Sequence, residues 1–217
     1  MRLEEAKLIG EIIRSLQVES CINLGCGQIM KLLTDKPWVE QYLFEPLRKQ
    51  DVPVIHVDLF DYPGVNYQID LTRPVELDIL NNEPRPRLFI LGNVLEHIQD
   101  DKREVMINTL INYMETDDHL IISVPNAYPF HADPIDTGYR PQPAEIMQIG
   151  SIEWISGSIL VCGNYRTDLS KMGLFKALRK LCKPLWPLQS LTRYRENFER
   201  LRFLFKDYKV TVVHGRK

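Results

Sequence analysis

Residues 21 to 30 read CINLGCGQIM, an apolar run that leads into two glycines separated by one cysteine. Because glycine lacks a Cβ, Gly25 and Gly27 permit positive φ angles and a close approach of the backbone to a ligand. The dinucleotide fingerprint GxGxxG is absent, since Met30 stands at the position of its last glycine. The stretch therefore indicates either a cofactor loop or a plain strand-to-helix turn, and it disfavours a nicotinamide dehydrogenase.

Further apolar runs with the length of β-strands follow this stretch and alternate with helical patterns. The candidate strands cover residues 20–25, 53–59, 65–71, 87–94 and 119–126. Helical periodicity covers residues 3–17, 99–116 and 143–149. Near-continuous apolar strands separated by helices are typical of a parallel sheet covered on both faces. The sequence predicts a doubly wound α/β fold, in which two later runs, 155–165 and 208–217, complete the sheet as antiparallel strands.

The composition is that of an ordinary globular protein, with 44% hydrophobic and 26% charged residues in a chain of 217. This length predicts a single domain over residues 1–217. The four cysteines form no CxxC pair, so neither a zinc site nor a disulfide framework is predicted. No other metal site is predicted. Charges interrupt the apolar positions of residues 1–16, unlike in a signal peptide, and the expected location is the reducing cytoplasm.

Polar side chains end three of the predicted strands. Asp58 ends the second strand, Asp70 ends the third and Asn93 ends the fourth. In doubly wound sheets ligands bind at the carboxyl ends of the strands. A carboxylate beside the glycine turn is placed to accept both hydroxyl groups of a ribose, and one at the next strand end can accept an adenine amino group. Each acid alone more often caps a helix, but together they predict an adenosine pocket.

Residues 20–136 resemble the class I (Rossmann-like) S-adenosylmethionine-dependent methyltransferases. CINLGCG (21–27) resembles their glycine motif, VDLFDYPGVNYQIDLTRP (57–74) the ribose-binding acid and the following strand, GNVLEHI (92–98) the fourth-strand motif, and LIISVPN (120–126) the fifth strand. The resemblance implies a mostly parallel seven-stranded sheet and S-adenosyl-L-methionine as the cofactor. The cofactor-binding residues that it implies are Asn23, Gly25, Cys26, Gly27, Asp58, Asp70, Leu71 and Asn93.

The chain departs from the common pattern of this family at two positions. Many members have an acidic residue where Asn23 stands and a third glycine near Ile29. Similar variants occur in members that modify sugars and glycans, so the departure indicates that subgroup. Glu45 is a rival for the ribose-binding acid, but the spacing from Asp58 to Asp70 is typical of the sugar-modifying subgroup. The choice of Asp58 predicts that residues 28–52 form a helix-bearing connection.

The stretch after the fifth predicted strand supplies candidates for catalysis. Residues 126–141 read NAYPFHADPIDTGYRP. His131 is the predicted general base, because an imidazole titrates near neutral pH, and Asp133 is the predicted carboxylate that orients it. Asp136 and Arg140 are the predicted substrate-binding residues. Roles as loop and turn residues remain open for all of them.

The function that the resemblance implies is methyl transfer from S-adenosylmethionine, with an oxygen of a saccharide, glycan or lipid-linked acceptor as the favoured target. Two alternatives remain open. One is a small-molecule methyltransferase of the quinone type, and the other is a methyltransferase-like binding module without turnover. His97 is assigned to the structure or to the shape of the cofactor pocket, because the LEH tripeptide occurs in relatives with many different substrates.

The C-terminal part of the chain is strongly basic. Residues 171–217 carry seven Lys and six Arg against three acidic residues, although the whole chain has a net charge of −2. Residues 166–207 are predicted to be a basic helical insertion between the last two strands. Residues 171–185 form an amphipathic pattern that fits either an anionic membrane surface, at the inner face of the membrane, or packing within the protein. A nucleic-acid partner is disfavoured, because no recognisable binding motif accompanies the basic residues.

Overall fold

The computed structural model of the chain describes residues 1–131, 135–182 and 190–217. Its strands form one seven-stranded sheet with the order β3-β2-β1-β4-β5-β7-β6. The strands are β1 (Ser20–Leu24), β2 (Val54–Asp58), β3 (Tyr67–Gln68), β4 (Arg87–Gly92), β5 (His119–Ala127), β6 (Glu153–Asn164) and β7 (Asp207–Arg216). All seven strands coincide with predicted apolar runs.

The sheet is doubly wound, as predicted. β1 pairs in parallel with β2 and with β4, and β3 and β5 extend the parallel part on either side. β7 runs antiparallel to both of its neighbours, β5 and β6. The direction of winding changes between β1 and β4, so the carboxyl ends of these strands border the crevice in which such sheets bind ligands.

The third strand is shorter than its apolar run. Only Tyr67 and Gln68 pair with β2. Before them, the side-chain oxygen of Asn66 accepts the His56 N–H at 2.8 Å, in place of a backbone carbonyl. After them, the Asp70 N–H donates to the Glu76 carboxylate at 2.7 Å and leaves the ladder. Hydrogen bonds to polar side chains therefore end this strand at both sides. A pattern of apolar residues does not predict such hydrogen bonds.

Helices cover the sheet and form the connections between its strands. The α-helices are α1 (Leu3–Arg14), α2 (Ile29–Asp35), α3 (Pro37–Val39), α4 (Glu45–Arg48), α5 (Asp100–Tyr113), α6 (Pro143–Met147), α7 (Tyr165–Ser170), α8 (Leu174–Cys182) and α9 (Leu191–Arg202). A π-helical stretch, Glu40–Phe44, joins α3 to α4, and 3₁₀ segments cover Pro74–Asn82 and Leu95–His97. The connection at 28–52 is helical, as predicted.

Apolar side chains cover both faces of the sheet, and this explains the near-continuous apolar character of its central strands. In β4, Leu88 belongs to the core that contains Ile9 of α1, whereas the next residue, Phe89, belongs to the core that contains Ile107 of α5. All four side chains are fully buried. Burial of each contributes about 1.5–3 kcal/mol, so a polar residue in place of Leu88 or Phe89 would destabilise the fold.

Between β6 and β7, the described parts of 166–207 contain α7, α8 and α9. That this range is an insertion, and that residues 1–217 form a single domain, stay predictions. Within the described ranges, no helix is both long and apolar enough to cross a membrane.

Candidate functional site

The glycine turn after β1 allows a ligand to approach the backbone closely. Gly25 and Gly27 have φ angles of 66° and 58°, in the region that favours glycine. A Cβ on Gly25 would lie 2.5 Å from Cγ2 of Val94, so no larger residue fits there without a shift. A Cβ on Gly27 would meet nothing within 4 Å. The space in front of Gly27 is therefore open to a ligand.

Asp58, at the end of β2, lies directly beside this turn. Its Oδ2 accepts the Gly27 N–H at 2.7 Å, and its Oδ1 accepts the Phe60 N–H at 3.1 Å. A carboxylate can accept about four hydrogen bonds, so Asp58 keeps acceptor capacity for a ligand. The rival acid, Glu45, lies in α4 and pairs with Lys49 at 2.7 Å on an exposed surface. The structure thus places Asp58, and not Glu45, at the glycine turn.

Asp70 and Leu71 follow β3. Oδ1 of Asp70 accepts hydrogen bonds from the backbone N–H of Thr72 at 2.9 Å and from its hydroxyl at 2.6 Å. Burial opposes the charge of Asp70, but these hydrogen bonds outweigh it and lower the pKa of the carboxyl. Leu71 is partly buried against the core that contains Phe89. Asp70 is thus a fixed anionic acceptor at the edge of the sheet.

Asn23 and Cys26 contact neighbouring protein groups. The Asn23 amide lies 3.1 Å from Nδ1 of His56 across the β1–β2 pair. Burial lowers the pKa of His56 to about 4, so this imidazole is neutral at physiological pH. Burial raises the pKa of Cys26 to about 12, and its thiol therefore stays protonated. The cofactor contacts predicted for Asn23 and Cys26 stay predictions.

Glu5 is a site residue that the sequence analysis missed. Its carboxylate is fully buried at the ends of β4 and β5. Oε1 accepts from the side chain of Asn93 at 2.8 Å and from the Ser123 hydroxyl at 2.7 Å, and Oε2 accepts the Arg2 N–H at 2.9 Å. In the sequence, Glu5 occupies a position of α1, four residues before Ile9, at which the helical period predicts an apolar residue. This acid in an apolar position is the signal that could have identified it.

A cavity of about 660 Å³ lies beyond the ends of β4 and β5. Residues from four parts of the chain line it. They include Arg2 and Glu5 before and in α1, Asn93, Glu96 and His97 after β4, Tyr128 and His131 after β5, and Asp168, Lys171, Lys180, Arg200 and Tyr208 from the C-terminal part. Of the predicted cofactor-binding residues, only Asn93 lines this cavity. Asn93 follows β4, the strand next to β1, so the cavity begins one strand away from the glycine turn.

Glu96, His97 and His131 meet in the wall of this cavity. One ligand atom of each lies within 4.8 Å of the others. Glu96 is 1% exposed, and burial raises the pKa of its carboxyl to about 7. Burial also lowers the pKa of His131, although nearby Asp136 acts in the opposite direction. The structure thus brings the predicted base beside His97, and beside an acid that the sequence analysis did not select.

The two predicted substrate-binding residues pair with each other. Arg140 donates to both oxygens of Asp136, at 2.6 and 3.0 Å. Asp136 also accepts the His131 N–H at 3.1 Å and the Gly138 N–H at 2.8 Å, and its side chain is fully buried. Contact of Asp136 and Arg140 with a substrate stays a prediction. Their hydrogen bonds stabilise the loop after β5. The other predicted catalytic residue, Asp133, lies outside the described residues.

Solved methyltransferase structures share this arrangement of strands and helices. A 1,6-didemethyltoxoflavin-N1-methyltransferase from Burkholderia thailandensis, solved with 1,6-didemethyltoxoflavin and S-adenosylhomocysteine, superposes with a TM-score of 0.52 at 14% identity, over 99% of this chain and 77% of its own. The chain has the class I methyltransferase fold. The resemblance of residues 20–136 is thereby confirmed at the level of the fold.

Two further solved structures are similar to the chain in fold. A protein assigned as a methyltransferase from Thermobifida fusca gives a TM-score of 0.51 at 15% identity, over 99% of this chain and 78% of its own. One assigned as a sarcosine dimethylglycine methyltransferase from Galdieria sulphuraria gives 0.51 at 10% identity, over 99% and 86%. No family model and no curated protein matches the sequence. At such low identities the likeness concerns the fold alone.

Proposed function

We propose that the chain is an S-adenosylmethionine-dependent methyltransferase. One observation carries the proposal: the 2.7 Å hydrogen bond from Gly27 to Asp58 holds an acid with spare acceptor capacity beside an open glycine turn. Asp70 and Asn93 occupy the ends of the neighbouring strands. This is the set of groups that an adenosine needs at the switch point of a doubly wound sheet.

In this proposal each strand end has a distinct task. Asp58 accepts hydrogen bonds from the ribose hydroxyls, and Asp70 accepts one from the adenine amino group. Gly27 gives the backbone access to the cofactor, and Asn93 borders the space between the cofactor and the cavity. S-adenosylmethionine, when bound, supplies an electrophilic methyl group. The protein then has to place an acceptor in line with that methyl group and exclude water.

We propose a polar, oxygen-bearing acceptor of the saccharide or glycan type. The cavity wall combines charged groups with aromatic rings. Arg2 donates to the two oxygens of Asp168 at 2.6 and 3.0 Å, and its guanidinium lies 4.6 Å from the ring centroid of Tyr208. Fixed hydrogen-bonding groups beside aromatic faces suit a hydroxylated ring. They fit an apolar quinone less well, because its ring offers these polar groups few hydrogen bonds in exchange for their contact with water.

His131 is the proposed proton acceptor for the acceptor hydroxyl. Its position supports the role, since it lines the cavity together with Glu96 and His97. The buried Asp136 lies 3.1 Å from Nδ1 of His131 and also accepts the backbone N–H of His131 at 3.1 Å. Asp136 therefore holds the histidine in place. The role of Asp133 in orienting His131 stays a prediction from the sequence.

Replacement of Asp58 by alanine should weaken binding of S-adenosylhomocysteine by about 10- to 100-fold, because charge-assisted hydrogen bonds to the ribose are worth about 1.5–3 kcal/mol. Glu45→Ala is the matched control and should bind with unchanged affinity, since Glu45 lies on an exposed helix. Isothermal titration calorimetry measures both. Full affinity in Asp58→Ala together with impaired binding in Glu45→Ala would transfer the role to Glu45.

A screen of methyl acceptors separates an enzyme from a binding module. An enzyme binds the cofactor and releases S-adenosylhomocysteine in the presence of a suitable acceptor. A set of saccharides and a set of quinols, tested as acceptors, should give release with the saccharides. Cofactor binding without release from any acceptor would instead support the binding module, and release with quinols alone would support the quinone-type enzyme.

The exposed face of α8 is the proposed contact with an anionic membrane surface. Leu174, Phe175 and Leu178 are 78%, 82% and 51% exposed. Two other apolar residues of the helix, Ala177 and Leu181, pack against the core. Helix packing thus uses one side of α8 and leaves an apolar face that is flanked by basic residues. An apolar face with flanking cations fits the interface of an anionic membrane on its cytoplasmic side. Residues 183–185 of the predicted stretch lie outside the described ranges.

Changing Lys176 and Arg179 together to glutamine should weaken binding to phosphatidylserine-containing vesicles by about 30-fold at low salt, since each cation near the surface contributes about 1 kcal/mol. Vesicle co-sedimentation measures the change. Added salt should weaken binding of the unmodified chain as well.

The matched control changes two exposed cations elsewhere, Lys7 and Lys31, to glutamine and should leave vesicle binding nearly unchanged. Absence of binding by the unmodified chain, or equal binding by the α8 variant, would contradict the membrane contact. The exposed face of α8 would then be left to an acceptor or to a second protein chain.

A further inference from the structure

We propose that Glu96, His97 and His131 form a binding site for one divalent transition-metal ion in the wall of the cavity. The three residues come from two connections, the 3₁₀ segment after β4 and the loop after β5. Their potential ligand atoms already lie within 4.8 Å of one another. A set of two imidazoles and one carboxylate is typical of metal sites that keep positions open for a substrate.

Two of the three side chains hold buried polar atoms without a hydrogen-bond partner. Within the described residues, Oε2 of Glu96 and Nδ1 of His131 both lack one. The Nδ1 atom lies 3.1 Å from Asp136, but the contact does not have the geometry of a hydrogen bond. A buried carboxylate oxygen without a partner is costly, and a bound cation supplies the missing interaction.

The third side chain is oriented as a metal ligand would be. Nδ1 of His97 contacts the backbone carbonyl of Ile135, which leaves Nε2 on the side of Glu96. Nε2 lies 3.8 Å from Oε1 of Glu96. Histidine ligands in metal sites commonly donate their second ring nitrogen to a carbonyl or a carboxylate, and this contact fixes both the tautomer and the ring.

The ligand set also selects the kind of cation. Two imidazole nitrogens favour Zn²⁺, Co²⁺ or Fe²⁺ over Mg²⁺, which prefers oxygen ligands and keeps its water molecules. Three protein ligands leave at least one coordination position free. Because all three residues line the cavity, the free position is available to an acceptor placed there.

The site deepens the proposed function and rests on it for its purpose. A dication held by these residues would bind a hydroxyl oxygen of the acceptor and lower the pKa of that hydroxyl, which would lose its proton to water before the methyl group is transferred. It also selects acceptors that offer an oxygen over those that offer only apolar surface. His131 would then be a metal ligand, and the cation in place of His131 would favour ionisation of the acceptor hydroxyl.

Titration of the metal-free full-length chain with Co²⁺, followed by visible absorption, tests the site. We expect one Co²⁺ per chain, and displacement of Co²⁺ by Zn²⁺ in the same cuvette. Loss of an outer partner of a metal ligand already costs 10- to 100-fold in affinity, so His97→Ala and His131→Ala should each weaken Co²⁺ binding by at least about 10-fold. Both side chains are partly exposed, so the two variants should fold.

The control removes the other close histidine pair among the described residues. Nδ1 of His119 lies 3.1 Å from Nε2 of His214 at the far end of β5. His119→Ala should keep Co²⁺ binding, whereas its loss would place the ion at that pair and overturn the proposal. Absence of Co²⁺ binding by the unmodified chain, or full binding by His97→Ala and His131→Ala, would overturn it as well.

Titration with S-adenosylhomocysteine separates this proposal from the proposed function. His131→Ala should keep its affinity for S-adenosylhomocysteine, because His131 lies in the loop after β5 and not at the glycine turn. Co²⁺ binding without cofactor binding would retain the metal site and reject the methyltransferase. Cofactor binding without Co²⁺ binding would do the reverse.

Discussion

Replacement of His131 by alanine should lower the turnover of methyl transfer to a hydroxyl acceptor by about two to four orders of magnitude, the usual contribution of a positioned general base. The affinity for S-adenosylhomocysteine should stay nearly unchanged, because His131 lies in the loop after β5 and away from Gly27 and Asp58. Steady-state kinetics and calorimetry on the same preparation measure the two quantities.

Two control variants sharpen this prediction. His119→Ala removes a histidine that pairs with His214, outside the cavity, and should keep full turnover. His97→Ala separates the two roles of His131. If His131 acts as a base on its own, His97→Ala keeps most of the turnover, whereas a shared metal ion makes both variants lose it. Turnover in His131→Ala within about threefold of the unmodified chain would reduce His131 to a loop residue.

Replacement of Asp118 by asparagine should destabilise the fold by about 3–5 kcal/mol, because it leaves the charge of a buried Arg87 without a partner. Both side chains are completely buried. Asp118 accepts from Nε of Arg87 at 3.0 Å, from its NH2 group at 2.6 Å and from its backbone N–H at 2.7 Å. The NH1 group of Arg87 donates to the Tyr113 hydroxyl at 3.0 Å. The pair joins the start of β4 to the turn before β5.

Urea unfolding of Asp118→Asn at neutral pH measures this loss. Asp117→Asn is the matched control at the adjacent residue. The ion pair of Asp117 with Arg216 is half-exposed, so its loss should cost about 1 kcal/mol or less. Asparagine also tolerates the φ angle of 72° at position 117. Equal losses in the two variants would show that the Arg87–Asp118 pair does not anchor β4.

The sequence by itself determined where the strands lie and which of their ends carry polar groups. Apolar runs and helical periods are local patterns, and burial on both faces leaves them visible in the central strands. The order of motifs from Cys21 to Asn126 was sufficient to predict the class I methyltransferase fold. The same pattern placed Asp58 at a strand end, and in the folded chain it lies at the glycine turn.

The tertiary structure alone decided which distant side chains meet. Glu5 lies 88 positions before Asn93 in the chain, and no local pattern links them, yet they share a buried hydrogen bond. In the same way, Glu96 joins His131 because the connections after β4 and β5 leave the sheet side by side. Periodicity records which face of an element is buried, but it does not record the partner across that face. The partner depends on the packing of whole elements, and for this reason the cavity, its carboxylates and its cluster of ligands became visible only in the folded chain.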